Sequence, residues 1–378
     1  VDIALGMYVY TYPEFCEEEV QASVPRPWGF KVFEIVNGVD LEKADLENPE
    51  HPGNCDTTYV YVVEKVNVDS LTVCRELNKL LGCSRCELLG LKDAEALARQ
   101  VAILRRCSRP MSSTELMYRN GYFKAVLWSC TDFLIHVGNR FYISIVFEED
   151  RDVKAIQKRL ESVQKHGYKF LNFFGYQRFG TRKPVTHLIG KLLLKKEWPL
   201  LVDLMCRLRS GRASETPEGK VCSMWLRYND YVKAVKSLPK EYLILYINAY
   251  QSYIFNVTLS MLWTRLVERY GVEKAFSYLE DRFAYIPVPG LRTPLVQEEI
   301  REIVDEVLEI EGIDQEDFRI EPLGLAVRGD TRRSLSRAYD VKIWFGDREM
   351  NLSFVLDRGC YATVFVRELL RTNPLRYT

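Results

Sequence analysis

The sequence is short of three things, and each shortage excludes a class of protein. It has no net charge: Lys+Arg and Asp+Glu each total 52 in 378 residues. A histone-like, purely electrostatic hold on nucleic acid is thereby excluded, and any RNA must be gripped by local positive charge. The opening Val1–Met7 run lacks the basic-then-apolar layout of a secretory signal, so a cytoplasmic chain is expected. An uninterrupted apolar span is also missing. Tyr242–Thr264 carries no charge and is long enough to cross a bilayer. However, Asn248, Gln251, Ser252 and Asn256 break it, and such groups are costly in lipid. It reads as a buried helix.

Cysteine is present but poorly organised. Of ten cysteines, only Cys83 and Cys86 form a CxxC pair, and no second pair stands at zinc-finger spacing. Ten in a chain this long do not make a secreted disulfide scaffold. Reduced, partly buried thiols are expected, with a metal site recruiting Cys74 and Cys107 as the weaker alternative. The remaining composition, 47% hydrophobic and 28% charged, is that of a globular protein large enough for two domains. No internal repeat is present.

Phe30–Val36 and Thr57–Glu64 are rich in β-branched and aromatic residues and read as strands. Asp69–Leu81 carries an apolar helical stripe closed by Gly82. Arg140–Phe147 alternates, placing Phe141, Ile143, Ile145 and Phe147 on one face. Asp152–Lys165 reads as an amphipathic helix ended near Gly167. Helical signals then dominate at Lys191–Leu208, Asn229–Ser237, Tyr242–Tyr270 and Val296–Leu308. Arg209–Gly219 reads as an exposed loop and Pro287–Gly290 as a break. Strand character returns at Ala338–Phe345 and Met350–Leu356, before a helix after Gly359. Strand-rich ends thus flank a helix-rich middle.

Four segments carry chemical signals. In Gly90-Leu-Lys-Asp93, the local reading of Asp93 is a helix N-cap ahead of the helix-prone Ala94–Gln100 run; the functional reading is a catalytic carboxylate beside Lys92. Asn172-Phe-Phe-Gly-Tyr-Gln-Arg-Phe-Gly180 packs four aromatics, two glycines, Gln177 and Arg178 into nine residues. It reads either as core filling or as a surface for bases and phosphates, and Arg182, Lys183, His187 and Lys191 continue it with further basic or titratable side chains. Gly138-Asn-Arg-Phe141 starts a strand, and Arg358-Gly-Cys-Tyr-Ala-Thr363 opens the last helix. Basic clusters at Arg105–Arg109, Arg178–Lys191, Arg207–Arg212 and Arg328–Arg337 are candidate RNA contacts, the second having the best claim.

Together with Tyr250-Gln-Ser-x-x-Phe-Asn256, Phe30-Lys-Val-Phe-Glu34 and Arg367-Glu-Leu369, these motifs occur in an order that resembles TruD-type pseudouridine synthases. Thr186–Gly190 is similar to the archaeal branch of that family. The resemblance spans about residues 30–370 and implies an α+β fold. A mixed-sheet pseudouridine-synthase catalytic domain would comprise 1–168 and 328–378, and a large helix-rich TruD domain, 169–327, would be inserted in it.

The resemblance also implies a tRNA pseudouridine synthase acting on a specific uridine, by family precedent tRNA uridine-13. Neither cofactor, metal nor membrane is implied, and oligomeric state is not legible. Asp93 is implied as the catalytic group, Phe141 as the surface against the flipped base and Asn139 as a positioning residue, with Lys92 beside them. Gln177, Arg178, Phe179, Arg182, Lys183, His187 and Arg26 are implied RNA contacts. The family's basic companion of the aspartate is missing where Val24 stands, so Arg26 or Lys92 is expected to replace it. That gap motivates the alternative of a catalytically inactive tRNA-binding paralogue.

Overall fold

Alternation of apolar residues builds the strands that organise the molecule. The computed structural model describes residues 1–15, 20–47, 55–131, 133–180, 183–209, 216–294 and 296–378. Eight of its strands are Phe30–Val36 (β1), Thr58–Val66 (β2), Leu97–Arg105 (β3), Ser113–Tyr118 (β4), Gly121–Ser129 (β5), His136–Phe147 (β6), Tyr339–Phe345 (β7) and Glu349–Asp357 (β8). They hydrogen-bond in the order β7-β8-β6-β1-β3-β2-β5-β4. The β1–β3 pair is parallel and the other pairs along this path are antiparallel, so the sheet is mixed. The alternation expected for β6 holds: Phe141, Ile143, Ile145 and Phe147 are all buried. Register sets Phe141 opposite Val32 of β1 and Phe354 of β8, and Asn139 opposite Glu34 and Leu356.

Local signals set the helix Ser70–Leu81 (α1), where Asp69 accepts a bond from the Thr72 amide and Gly82 closes the end at φ 62°. The helix Asp150–Lys165 (α2) follows β6. Ala94–Gln100 departs from its helical propensity. It bends and enters β3, which is paired on both sides and buries Ala98, Val101, Ala102 and Leu104. Sheet pairing and burial override propensity here, so Asp93 caps no helix.

The middle of the chain is helical: Thr186–Leu194 (α3), Trp198–Leu208 (α4), Pro217–Tyr228 (α5), Tyr231–Lys236 (α6), Lys240–Tyr270 (α7), Val272–Asp281 (α8) and Glu298–Glu311 (α9). The helix Ala362–Leu370 (α10) lies near the C-terminus. The 31-residue α7 is a core helix. Its polar residues are satisfied internally: Gln251 donates to the carbonyls of Pro289 and Arg328, and Asn256 to those of Leu5 and Phe174. Among the described residues no helix is long and apolar enough to cross a membrane. Helix α3 presses directly on α7, since a Cβ on Gly190 would come within 2.1 Å of the Tyr246 carbonyl oxygen.

Three local expectations need correction. Lys191–Leu208 is two helices, broken where Lys196 adopts φ 56° and Pro199 restarts the chain as α4. Of the expected Arg209–Gly219 loop, 210–215 lie outside the described residues, while Pro217–Gly219 already form the first turn of α5, capped by Thr216. The Pro287–Gly290 break begins inside a short strand, Tyr285–Val288, paired with Asp330–Arg333.

The cysteines are the largest correction. Disulfides join Cys55–Cys130, Cys74–Cys86, Cys83–Cys107 and Cys206–Cys222, and Cys360 is free. Cys83 and Cys86 therefore pair with neither a metal nor each other. The partners come from separate elements, which spacing along the chain does not disclose: α1 is tied to the strand beside it, and α4 to α5. Among the described residues no cluster of three or more His, Cys, Asp or Glu could hold a metal ion.

Candidate active site

Strand register, one loop and one helix start converge on a cavity of about 290 Å3, at the small end of ligand pockets. Its wall includes Phe30, Lys92, Asp93, His136, Asn139, Phe141, Gln177 and the 358–363 segment. The four motifs, spread over more than 270 positions of the chain, thus meet at one place.

Asp93 lies on the loop before β3 with its side chain 26% exposed. Its Oδ2 accepts a bond from Gln177 Nε2 at 3.2 Å. Gln177 is itself oriented by Thr363, whose hydroxyl donates to Gln177 Oε1 at 3.0 Å. The guanidinium of Arg26 stands 3.9 Å from the same carboxylate oxygen. Arg26 also donates to the carbonyls of Glu95 and Tyr377 and lies 3.9 Å from the centre of the Phe30 ring. Burial pushes its pKa down, while Asp93 and Glu95 oppose that shift.

Lys92 points elsewhere. Its ammonium donates to Glu34 Oε1 at 2.7 Å, and both side chains are nearly inaccessible. Glu34 Oε2 accepts from the Val101 amide at 2.8 Å, so both carboxylate oxygens are occupied. Gly90 packs closely on this pair: a Cβ there would sit 3.0 Å from Lys92 Nζ and 3.4 Å from Glu34 Oε1. Of the two cations expected to stand in at Val24, geometry places Arg26 on Asp93 and gives Lys92 to the buried ion pair.

In the same cavity wall, Phe141 is buried between Phe30, edge-on at 6.0 Å, and Phe354, stacked at 5.5 Å. The hydrogen-bond partner of Asn139 is His136, not Asp93: its Oδ1 lies 3.2 Å from His136 Nε2, which also approaches the Gly138 carbonyl. His136 lines the cavity and was missed in the sequence, where a lone histidine gives no signal. Burial, first, and Lys92 and Arg358 lower its pKa. Arg332 was also missed as an organiser. It bonds Asn172, Phe173 and Gly359 and lies 4.2 Å from the Phe174 ring centre, stapling the aromatic loop to the approach to α10.

The candidate RNA contacts divide. Gln177 and Arg26 reach Asp93, and Lys183 is exposed. Arg178 is half-buried and donates to Ser252 on α7 at 3.1 Å. Phe179 and His187 need correcting, because both are core residues: Phe179 is fully buried, and His187 packs edge-on against it and stacks on Tyr253. The same apolar packing that a lone aromatic motif allows has drawn them inside. Arg182 lies outside the described residues, as does Arg212 of the third basic cluster.

His187 carries an acid-stability prediction. Burial pushes its pKa down to about 4, with Lys191 helping and the Ala4 carbonyl and Glu311 opposing. The unfolded chain therefore binds a proton between about pH 6.5 and 4 that the folded chain does not, and stability falls as pH falls through that window. Urea unfolding should show about 2–3 kcal/mol less stability at pH 4.5 than at pH 7 from this group, a loss that His187→Phe removes. A variant with an undiminished loss would place the acid sensitivity in other residues.

Comparison with known proteins supplies a family. The model of tRNA pseudouridine synthase D (TruD) matches residues 25–220, 216–277 and 264–369. A Saccharolobus solfataricus protein named "Probable tRNA pseudouridine synthase D" is 30% identical, over 100% of this chain and 99% of its own. A Pyrobaculum neutrophilum protein of the same name is 31% identical, over 100% and 98%. The crystal structure of a Methanosarcina mazei protein assigned to TruD shares the fold, with TM-score 0.63 at 20% identity over 99% of this chain and 98% of that one.

Proposed function

Since the chain belongs to the TruD family of tRNA pseudouridine synthases, we propose that it isomerises one uridine of tRNA, by family precedent uridine-13, with Asp93 as the catalytic carboxylate. The observation that carries this reading is the placing of the Asp93 carboxylate in a cavity faced by Phe141, with Gln177 and Arg26 on one of its oxygens. The enzyme is an isomerase. The reaction breaks the C1′–N1 and C5–H bonds and forms C1′–C5 and N1–H. It is redox-neutral and needs no cofactor.

A charged carboxylate beside the ribose serves either route, attack on C1′ or removal of a sugar proton. A uridine must leave its stack to reach that carboxylate. Phe141 and Phe30 offer the apolar wall against which a detached uracil can turn, with Phe354 stacked behind Phe141. Arg26 answers the gap at Val24 that motivated a merely binding paralogue, so the active enzyme is the better reading.

We take 1–168 with 328–378 as the catalytic unit and 169–327 as the inserted one. In support, the eight strands β1–β8 fall within 30–147 and 339–357, and α3–α9 fall between them. The N-terminal segment leans on the inserted helices, with the Tyr8 amide on Ser260 and the Leu5 carbonyl on Asn256. A cytoplasmic site of action follows from the substrate.

The test is carbodiimide-based mapping of unmodified tRNA transcripts incubated with purified protein. One uridine should become a pseudouridine stop. Tight tRNA binding without any modified position would leave only the binding role.

A further inference from the structure

Strand β2 carries a charge that the chemistry above leaves unused. Lys65 is fully buried. Removing an ammonium from water costs several kcal/mol unless its charge and its donors are answered. Its hydrogen-bond partner is main chain: Nζ donates to the carbonyl oxygen of Asp93 at 2.5 Å. The neighbouring peptide is held separately. Ser70 Oγ accepts from the Lys92 amide at 3.1 Å, lies 3.2 Å from the Lys92 carbonyl oxygen and 3.0 Å from Gln100 Oε1. Lys92's side chain is taken by Glu34. Ser70 and Glu34 thus hold the residue before the aspartate, and Lys65 holds the aspartate itself.

We propose that Lys65 is the positioning residue of the active site: its ammonium clamps the Asp93 carbonyl from inside the sheet, so that the carboxylate leaves the loop toward the cavity. The inference rests on the reading of Asp93 given above. A carbonyl dipole ending on a buried cation is a stronger anchor than one ending on a neutral amide. The anchor matters because a shift of about 1 Å in a catalytic group can cost on the order of 100-fold in rate.

The clamp has a pH signature. Burial pushes Lys65 down to about 8, with Lys92 adding to the shift and Asp93 and Asp69 opposing it. These are the charged groups that face it, two from the catalytic loop and one from the start of α1. Above about pH 8 the ammonium becomes a neutral amine, and the charge behind Asp93 is lost.

The experiment measures kcat and tRNA affinity between pH 6 and 10 for the wild type and Lys65→Met, with an unmodified tRNA transcript that the wild type modifies. We expect kcat of the variant to fall about 10- to 100-fold at pH 7 while tRNA affinity stays within about two-fold. The wild type should lose kcat above about pH 8, and the variant should lack that alkaline limb. An unchanged kcat overturns the proposal, and so does a kcat loss matched by lost tRNA affinity, which marks a merely structural lysine. If Lys65→Met does not fold, the wild-type profile decides: a fall near pH 8 at constant affinity supports the clamp, and a flat kcat to pH 10 overturns it. Failure of the synthase reading is a separate observation, the absence of wild-type turnover.

Discussion

Asp93→Asn is expected to abolish pseudouridine formation, by at least about 10^4-fold in kcat, while leaving tRNA affinity nearly unchanged. The replacement keeps the size of the side chain and an oxygen that Gln177 can still meet. It removes the negative charge that the proposed reaction requires, whether for attack on the ribose or for removal of its proton. Among the described residues that line the cavity, Asp93 supplies the sole carboxylate; Glu34, behind Lys92, is fully buried and bonded through both oxygens to Lys92 and the Val101 amide. Arg26 would lose its anionic partner, but the carbonyls of Glu95 and Tyr377 still hold it, so the fold should survive. Single-turnover modification assays at saturating protein make the measurement. A variant that modifies tRNA at the wild-type rate would mean that Asp93 is a structural residue.

Lys92→Met is expected to cost about 3–5 kcal/mol of stability. The ammonium is one of two groups that answer the carboxylate of Glu34, which is completely inaccessible. Deleting it strands an anion where water cannot reach, and the penalty is desolvation rather than a lost surface ion pair. The loop carrying Asp93 should loosen as well, because Lys92 is its side-chain tie to β1. Removing the anion too, in Lys92→Met/Glu34→Leu, should restore most of the stability, since the pair as a whole roughly breaks even against apolar packing. Urea unfolding of the wild type, both single variants and the double variant gives the coupling energy. A single variant within about 0.5 kcal/mol of wild type would show that the pair is not effectively buried in solution.

Elements whose periodicity was strong could be read directly. Asp69 and Gly82 bracket α1 where cap chemistry places them, and β6 buries the four residues its alternation indicates. Elements with conflicting signals went wrong in a consistent way. Ala94–Gln100 has helical propensity but lies between two strands, and a helix-like run at 191–208 is broken at Lys196. Propensity is a local quantity, and pairing and packing outweigh it when they oppose it. His187 and Phe179 looked like binding residues because their neighbours along the chain are basic; burial decides the matter, and it depends on where α7 lies. The cysteines failed for the same reason, since a separation of 75 positions between Cys55 and Cys130 carries no record of their adjacency.

By itself, then, the sequence determined the class of fold, the order of the motifs and the residue types available for chemistry, because these depend on spacing and composition along the chain. Only the tertiary structure decided which groups answer Asp93. Gln177 is 84 positions away, Lys65 is 28, and Arg26 reaches it from before β1. Those meetings follow from strand register and from the docking of the inserted helices, and electrostatic partnership depends on distance through space rather than on distance along the backbone.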